Sequence, residues 1–259
     1  MGAQPKLGVQ LYTLREYIRN YEDTEKTFAF LQELGVNVIQ ISGIGDFPAI
    51  EQAELVRKYG MDVCVTHKSF ERMQNDLDAL IDEHLLLGCD SIGIGGMPTC
   101  YRGSLEGAKA FIKEAERIGK HMRKRGVRFN YHNHDFEFLA YDGRRVMDVL
   151  IEDSDPELIW FVPDVAWMQI AGENPAQYIK KMQNRIKVLH FKDFIKNEDG
   201  RQFTEIGLGQ CDLAGCYKAC VEMDVPYIVY EQDSGFAVNA LESTKVSFEN
   251  MKKIALENA

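Results

Sequence analysis

Short apolar runs recur along the whole chain, at 7–11, 36–41, 61–66, 90–94, 127–131, 158–162, 186–189 and 226–230. Between them lie stretches of helical length and pattern at 21–34, 47–59, 75–87, 104–124, 146–152, 175–183 and 213–223, with a last one at 238–256. Gly35, Gly60, Gly88 and Gly126 end four of these; glycine readily takes the left-handed conformation in which helices often stop. Continuous apolar runs, rather than alternating ones, indicate strands covered on both faces, as in a parallel sheet under helices. Strand and helix alternate about eight times with no linker or shift in composition, so one domain, 1–259, is expected. A closed (β/α)8 TIM barrel fits this count better than an open doubly wound sheet. No GxGxxG follows the first strand, which weakens the dinucleotide-binding alternative further.

A formal net charge of −10 argues against a mainly electrostatic nucleic-acid binder, which needs a basic face. No apolar run approaches the ~20 residues of a membrane span. Residues 1–6 lack the apolar core of a secretory leader, so a cytoplasmic protein is expected; an exported chain with its leader removed would read the same way. Cys64, Cys89, Cys100, Cys211, Cys216 and Cys220 show no CxxC pair and no disulfide framework. Free, buried thiols are expected.

In such barrels chemistry gathers where strands run into the loops that follow them. Tyr12 and Arg15 follow the first strand, Gln40 and Ser42 close the second, and His67 and Lys68 follow the third. The fifth runs into Tyr131-His132-Asn133-His134-Asp135-Phe136-Glu137-Phe138, the densest chemistry in the chain. Asp164, His190 and Glu231 end the sixth, seventh and eighth. Taken singly, each has a plainer role: Asp164 suits the N-cap of a helix entering at Val165, and Glu231 suits a rim ion pair. Four successive strands ending in metal-competent residues outweigh those readings. His132, Asp164, His190 and Glu231 are therefore the expected metal ligands, and mixed nitrogen and oxygen donors suit Mn²⁺, Co²⁺, Zn²⁺ or Fe²⁺ better than Mg²⁺ or Ca²⁺. Lys192, two residues beyond His190, points the same way on extended chain and suits an oxyanion, with a rim salt bridge as the plainer role. Tyr12, Arg15, His67 and Trp167 are the expected substrate contacts. Trp167 equally suits packing under the next helix, and Arg15 a surface position. The segment 205–212 reads as a hinge-rich lid or a plain connection.

With these residues in view, the chain resembles the sugar phosphate isomerase/epimerase family of xylose isomerase-like barrels. That family also holds keto-sugar epimerases, inosose dehydratases and endonuclease IV. The resemblance runs from Gly8-Val9-Gln10-Leu11-Tyr12 to Tyr230-Glu231-Gln232-Asp233. Its most specific marks are the strand-five motif, Asp164-Val165-Ala166-Trp167, His190-Phe191-Lys192-Asp193, and Gly207-Leu208-Gly209 followed by Asp212. It implies a divalent metal, most often Mn²⁺, with Asp164, His190 and Glu231 matching its ligands. Isomerising members carry a Glu on strand five, where this chain has His132. A proton shuttle between two carboxylates then lacks a partner, and His134 or Glu137 stands in beside Glu231 and Lys192.

The resemblance implies a metal-dependent isomerase or epimerase acting on a keto-sugar or sugar phosphate through a metal-stabilised enediolate. The alternative at the same residues is a lyase, dehydratase or hydratase on a 3-keto-sugar, 3-keto-glycoside or inosose. An endonuclease-like phosphodiesterase fits the charge and the six histidines less well, and a non-catalytic sugar-binding barrel is the last alternative. The expected partner is a small-molecule sugar, with no nucleic acid and no membrane; a homo-oligomer is carried as an open expectation.

Overall fold

The eight apolar runs become eight strands: β1 Lys6–Gln10, β2 Val38–Ile41, β3 Asp62–His67, β4 Ser91–Ile94, β5 Arg128–His132, β6 Ile159–Val162, β7 Val188–Phe191 and β8 Tyr227–Tyr230. This is a computed structural model that describes residues 3–198 and 200–258; Met1 and Gly2, which the reading of the chain's start used, lie outside the described residues. All strand pairs of this sheet are parallel, in the order β6-β5-β4-β3-β2-β1-β8-β7. Strands β6 and β7 meet only through bridges from Phe161 to Ile186 and from Asp164 to His190, which bring the ring nearly to closure. The TIM-barrel expectation holds.

Helices wrap the outside for ordinary reasons. In Leu105–Lys124 the buried residues Leu105, Ala108, Phe111, Ile112, Ala115, Ile118 and Met122 recur every three or four positions, which lays one apolar stripe on the sheet. The Ser104 side chain accepts from Gly107 N and caps its first turn, while His121, Arg123 and Lys124 sit at its negative end. Truncating a residue such as Phe111 in that stripe costs about 3–5 kcal/mol. Among the described residues no helix is long and apolar enough to cross a membrane.

A separate small cluster of Val38, Cys64, Val65, Val162, Val188 and Val229 comes from strand residues alone, as expected of a barrel interior. Asp164, His190 and Glu231 each stand two residues beyond one of these valines. Side chains two apart on a strand share a face, so all three project over the filled interior toward one mouth.

Several expectations need correcting. The polar stretch after β7 contains an antiparallel hairpin, Asp193–Asn197 paired with Gly200–Thr204, whose charged, weakly alternating sequence hid it. The helix expected at 75–87 is two, Phe70–Asn75 and Leu77–Leu86, broken where Asp76 takes φ −145°. A 3-10 turn, Leu11–Tyr17, follows β1 directly. All six cysteines are free, but Cys100 is exposed and Cys211 only half-buried.

The segment 205–212 does not have the anchoring of a lid. Glu205 is buried and accepts from the Ser243 hydroxyl at 2.6 Å and from Ala237 N at 3.0 Å. The Asp193 carboxylate accepts from the backbone N–H groups of Phe194, Gly207, Gly209 and Cys211 at 2.9, 3.0, 3.0 and 3.0 Å. The loop's backbone donors are thus filled from inside, which accounts for the Gly-Leu-Gly pattern without a phosphate.

Candidate active site

A cavity of about 470 Å³ opens at the C-terminal ends of the strands, lined by Tyr12, Arg15, His67, His132, His134, Lys192 and Glu231 together with Gln10, Ser42, Gly43, Gly95 and Asp233. A larger cleft of about 550 Å³ lies around Gly119, Arg123, Arg128 and Trp160. Its lining lacks the convergent imidazoles and carboxylates of the mouth, and both metal-competent clusters among the described residues are at the mouth. Chemistry, not size, selects the site.

Asp164 and His190 are fully buried and lie outside the cavity lining, close to its floor. The donor atoms of His132, Asp164, His190 and Glu231 all fall within 4.8 Å of one another. Asp164 Oδ1 accepts from Ala166 N and Trp167 N, capping Val165–Ile170. Its Oδ2 is buried and accepts no hydrogen bond among the described residues. The cap expected of Asp164 thus uses one oxygen of the carboxylate and leaves the other free of hydrogen bonds among the described residues.

The two imidazoles of the cluster, His132 and His190, are each held by a hydrogen-bond partner. His132 Nδ1 lies 3.2 Å from the Val162 carbonyl oxygen, which can only accept, so Nδ1 carries the proton and Nε2 the lone pair. His190 Nε2 lies 2.8 Å from Gln40 Oε1. With Nε2–H donating there, Nδ1 faces Glu231 Oε2 at 3.0 Å and Asp164 Oδ2 at 4.0 Å. A ring nitrogen and two carboxylate oxygens turned to one point suit a shared cation. Donor types, an Asp164 oxygen that accepts no hydrogen bond among the described residues and the His132 tautomer all fit a divalent transition-metal ion.

One resident cation is already there. Lys192 Nζ lies 3.1 Å from Glu231 Oε2, 3.5 Å from Asp164 Oδ2 and 2.6 Å from Asp233 Oδ2. Burial pushes the ammonium's pKa down, but Glu231, Asp164 and Asp233 outweigh it and raise the pKa above the ordinary lysine value. Burial likewise pushes Glu231 up, yet Lys192 and His190 hold it well below the usual carboxylate range. Asp164 is raised to about 6 by burial, reinforced by the charge of Glu231.

The opposite wall is imidazole. His67 and His132 lie with ring centroids 5.2 Å apart, and His132 and His134 at 5.0 Å. Burial depresses all three: His67 to about 3, His134 to about 4, and His132 well below the ordinary value. At neutral pH they are uncharged. His67 Nε2 and His134 Nδ1 are buried and have no hydrogen-bond partner among the described residues.

Other expected residues fall in different places. The Arg15 guanidinium lies 4.5 Å over the Tyr12 ring and donates to the Tyr12 and Asp233 carbonyl oxygens, each at 2.8 Å. Trp167 is not in the cavity wall; it packs behind His134 and against Phe203, with centroids 5.2 and 5.3 Å away. Glu137 is also outside the wall, fully buried, accepting from the Tyr131 hydroxyl at 2.5 Å and from His134 N at 2.9 Å. Burial raises its pKa to about 7. Two participants escaped the sequence reading. Gln40 was visible at a strand end but had no assigned partner. Asp233 stands two residues after Glu231, the same spacing that singled out Lys192 after His190.

Comparison with known proteins agrees with this architecture. The sequence profile of the family described as xylose isomerase-like TIM barrel matches residues 28–254. An inosose dehydratase from Clostridium tetani is 29% identical over 85 residues, 33% of this chain and 28% of that protein. One from Clostridium botulinum is 24% identical over 209 residues, 69% of each chain. The match thus spans about a quarter to two thirds of the length of these relatives. A solved sugar phosphate isomerase/epimerase from Parabacteroides distasonis superposes with a TM-score of 0.81 at 20% identity, covering 95% of this chain and 97% of that one. The chain belongs to the xylose isomerase-like TIM-barrel family.

Proposed function

We propose that this protein is a metal-dependent enzyme that removes a proton beside the carbonyl of a polyhydroxylated ketone, a keto-sugar or an inosose, and then expels the neighbouring oxygen substituent. The observation that carries the reading is the convergence of His190 Nδ1 with carboxylate oxygens of Glu231 and Asp164, with His132 beside them. His132, Asp164, His190 and Glu231 would hold the ion, with Mn²⁺ favoured and Zn²⁺, Co²⁺ or Fe²⁺ compatible. Such an ion, when bound, supplies Lewis acidity toward a ketone oxygen and its hydroxyl neighbour.

The chain's own groups supply the rest. Glu231 Oε2 is the oxygen turned toward His190 and Lys192 and the one that would meet the ion, which leaves Oε1 to take the proton from the carbon beside the carbonyl. The electron pair of that C–H bond moves into the carbon framework as the C–O bond one carbon further breaks. The proton taken up by Glu231 then passes to the departing oxygen, which leaves as water, with the neutral His134 hydrogen-bonding that oxygen. The Lys192 ammonium steadies negative charge growing on the ketone oxygen. His67, Tyr12 and Arg15 hold the hydroxyls at the mouth. Glu137, sealed beneath Tyr131, orients the backbone at His134 rather than moving protons.

Elimination is preferred to epimerisation because the strand-five position is His132, leaving Glu231 as the carboxylate available for proton transfer, and because the curated relatives above are named inosose dehydratases. Six free cysteines suit a reducing compartment, so the cytoplasm is the proposed location. The test is incubation of the Mn²⁺-loaded protein with an inosose in D₂O. Loss of water is the expected outcome. Deuterium at the carbon beside the carbonyl without loss of water would instead make the protein an isomerase or epimerase, and neither change would refute the enolising site.

A further inference from the structure

Lys192 is 1% exposed and surrounded by three carboxylates. Two of the oxygens it approaches, Glu231 Oε2 and Asp164 Oδ2, belong to the residues assigned above to the metal. A divalent ion and an ammonium cannot both make full use of the same lone pairs, and their charges repel at short range. The third carboxylate is different. Asp233 lies outside the four-residue cluster, its side chain is 29% exposed toward the cavity, and it makes the shortest of the three contacts, 2.6 Å.

The segment carrying Asp233 is pinned on both sides. Gln232 N donates to Thr13 Oγ1 at 3.0 Å, and the Tyr230 hydroxyl donates to Gln232 Oε1 at 2.7 Å. Arg15 Nη2 donates to the Asp233 carbonyl oxygen. Neither the backbone nor the carboxylate has to move for the ammonium to pivot toward it.

We propose that Asp233 is a positioning residue for Lys192: it anchors the ammonium on the cavity side when Asp164 and Glu231 turn their oxygens to a divalent ion. Asp233 thereby sets the affinity for the ion and keeps the ammonium within reach of the substrate oxygen. The inference rests on the metal-site reading above. Without Asp233 the ammonium's remaining partners are the ligand oxygens themselves, and it competes with the ion for them.

The experiment is Mn²⁺ equilibrium dialysis of the full chain in four forms: wild type, Asp233→Asn, Lys192→Met and the double variant. Asp233→Asn is expected to weaken Mn²⁺ binding by roughly 10- to 100-fold, the usual scale for residues that act on ligands from behind. With the competitor removed by Lys192→Met, adding Asp233→Asn is expected to change affinity by less than about threefold. Asp233→Glu, which keeps the anion, is expected to retain most of the affinity and serves if the asparagine variant does not fold. An unchanged affinity in Asp233→Asn, or an equal loss with and without Lys192, overturns the inference. A wild-type protein that binds no Mn²⁺ refutes the metal site itself, a result distinct from either.

Discussion

Replacing Asp193 by Asn keeps the side chain's size and removes half of its function. One carboxylate oxygen becomes an NH₂ group facing two backbone N–H donors that previously gave it hydrogen bonds. The site is 1% exposed, so water does not readily take over. Two charge-assisted bonds lost in a buried place cost about 3–6 kcal/mol at ~1.5–3 kcal/mol each. At roughly 2–4 °C per kcal/mol for a chain of this size, Tm should fall by about 6–24 °C. Scanning calorimetry reads that fall, and limited proteolysis reads whether the segment 205–212 has come loose. Gly209→Ala attacks the same arrangement from the other side, because a Cβ there would stand 2.2 Å from Asp193 Oδ1 and 2.5 Å from the Phe194 carbonyl oxygen. A Tm within about 2 °C of wild type, with the loop as protease-resistant as before, would refute the account of Asp193 as the loop's internal anchor.

Other outcomes follow from buried titratable groups and from the support of His190. His84 accepts from the Thr66 hydroxyl at Nε2 and donates from Nδ1 to the Leu80 carbonyl, and burial lowers its pKa to about 4. The unfolded chain takes up that proton below about 6.5 and the folded chain does not, so about 3 kcal/mol present above that pH is lost as pH falls toward 4. His84→Gln should flatten this part of a denaturation-midpoint profile. Glu137 has the opposite sign: with its folded pKa raised to about 7, the folded state holds a proton that the unfolded state releases above about 4.5. Its contribution therefore falls by up to about 3 kcal/mol as pH rises from 4.5 to 7, and Glu137→Gln should be relatively more stable at pH 7.5 than at pH 5. Gln40→Leu frees the His190 ring and should weaken Mn²⁺ binding by roughly 10- to 100-fold by dialysis, with Tm falling by about 2–12 °C for the buried donor left without an acceptor.

The barrel was legible because it is written locally. Each strand is a short apolar run, each helix carries its own stripe, and residues two apart on a strand share a face. Those facts alone placed His132, Asp164, His190, Lys192 and Glu231 at one mouth. What stayed hidden depends on contacts far apart in sequence. Gln40 and His190 are 150 residues apart, and no local pattern reveals that one orients the other. Glu137 has the residue type of an acid/base, yet the 3-10 turn Phe136–Phe138 folds it back under Tyr131. The glycines of 205–212 suggested mobility, whereas Gly209 serves close approach to the buried Asp193 carboxylate and Gly207 takes a left-handed turn at φ +81°. The hairpin Asp193–Thr204 was missed because its outer residues are charged, and its Phe194 and Phe203 are too few to set a period.

The most direct test of the central claim is a crystal of this protein soaked in Mn²⁺ and measured for anomalous scattering. The account predicts one peak within about 2.3 Å of donor atoms from His132, Asp164, His190 and Glu231, with Lys192 Nζ shifted onto Asp233. No peak at that cluster, or a peak elsewhere on the molecule, would contradict it.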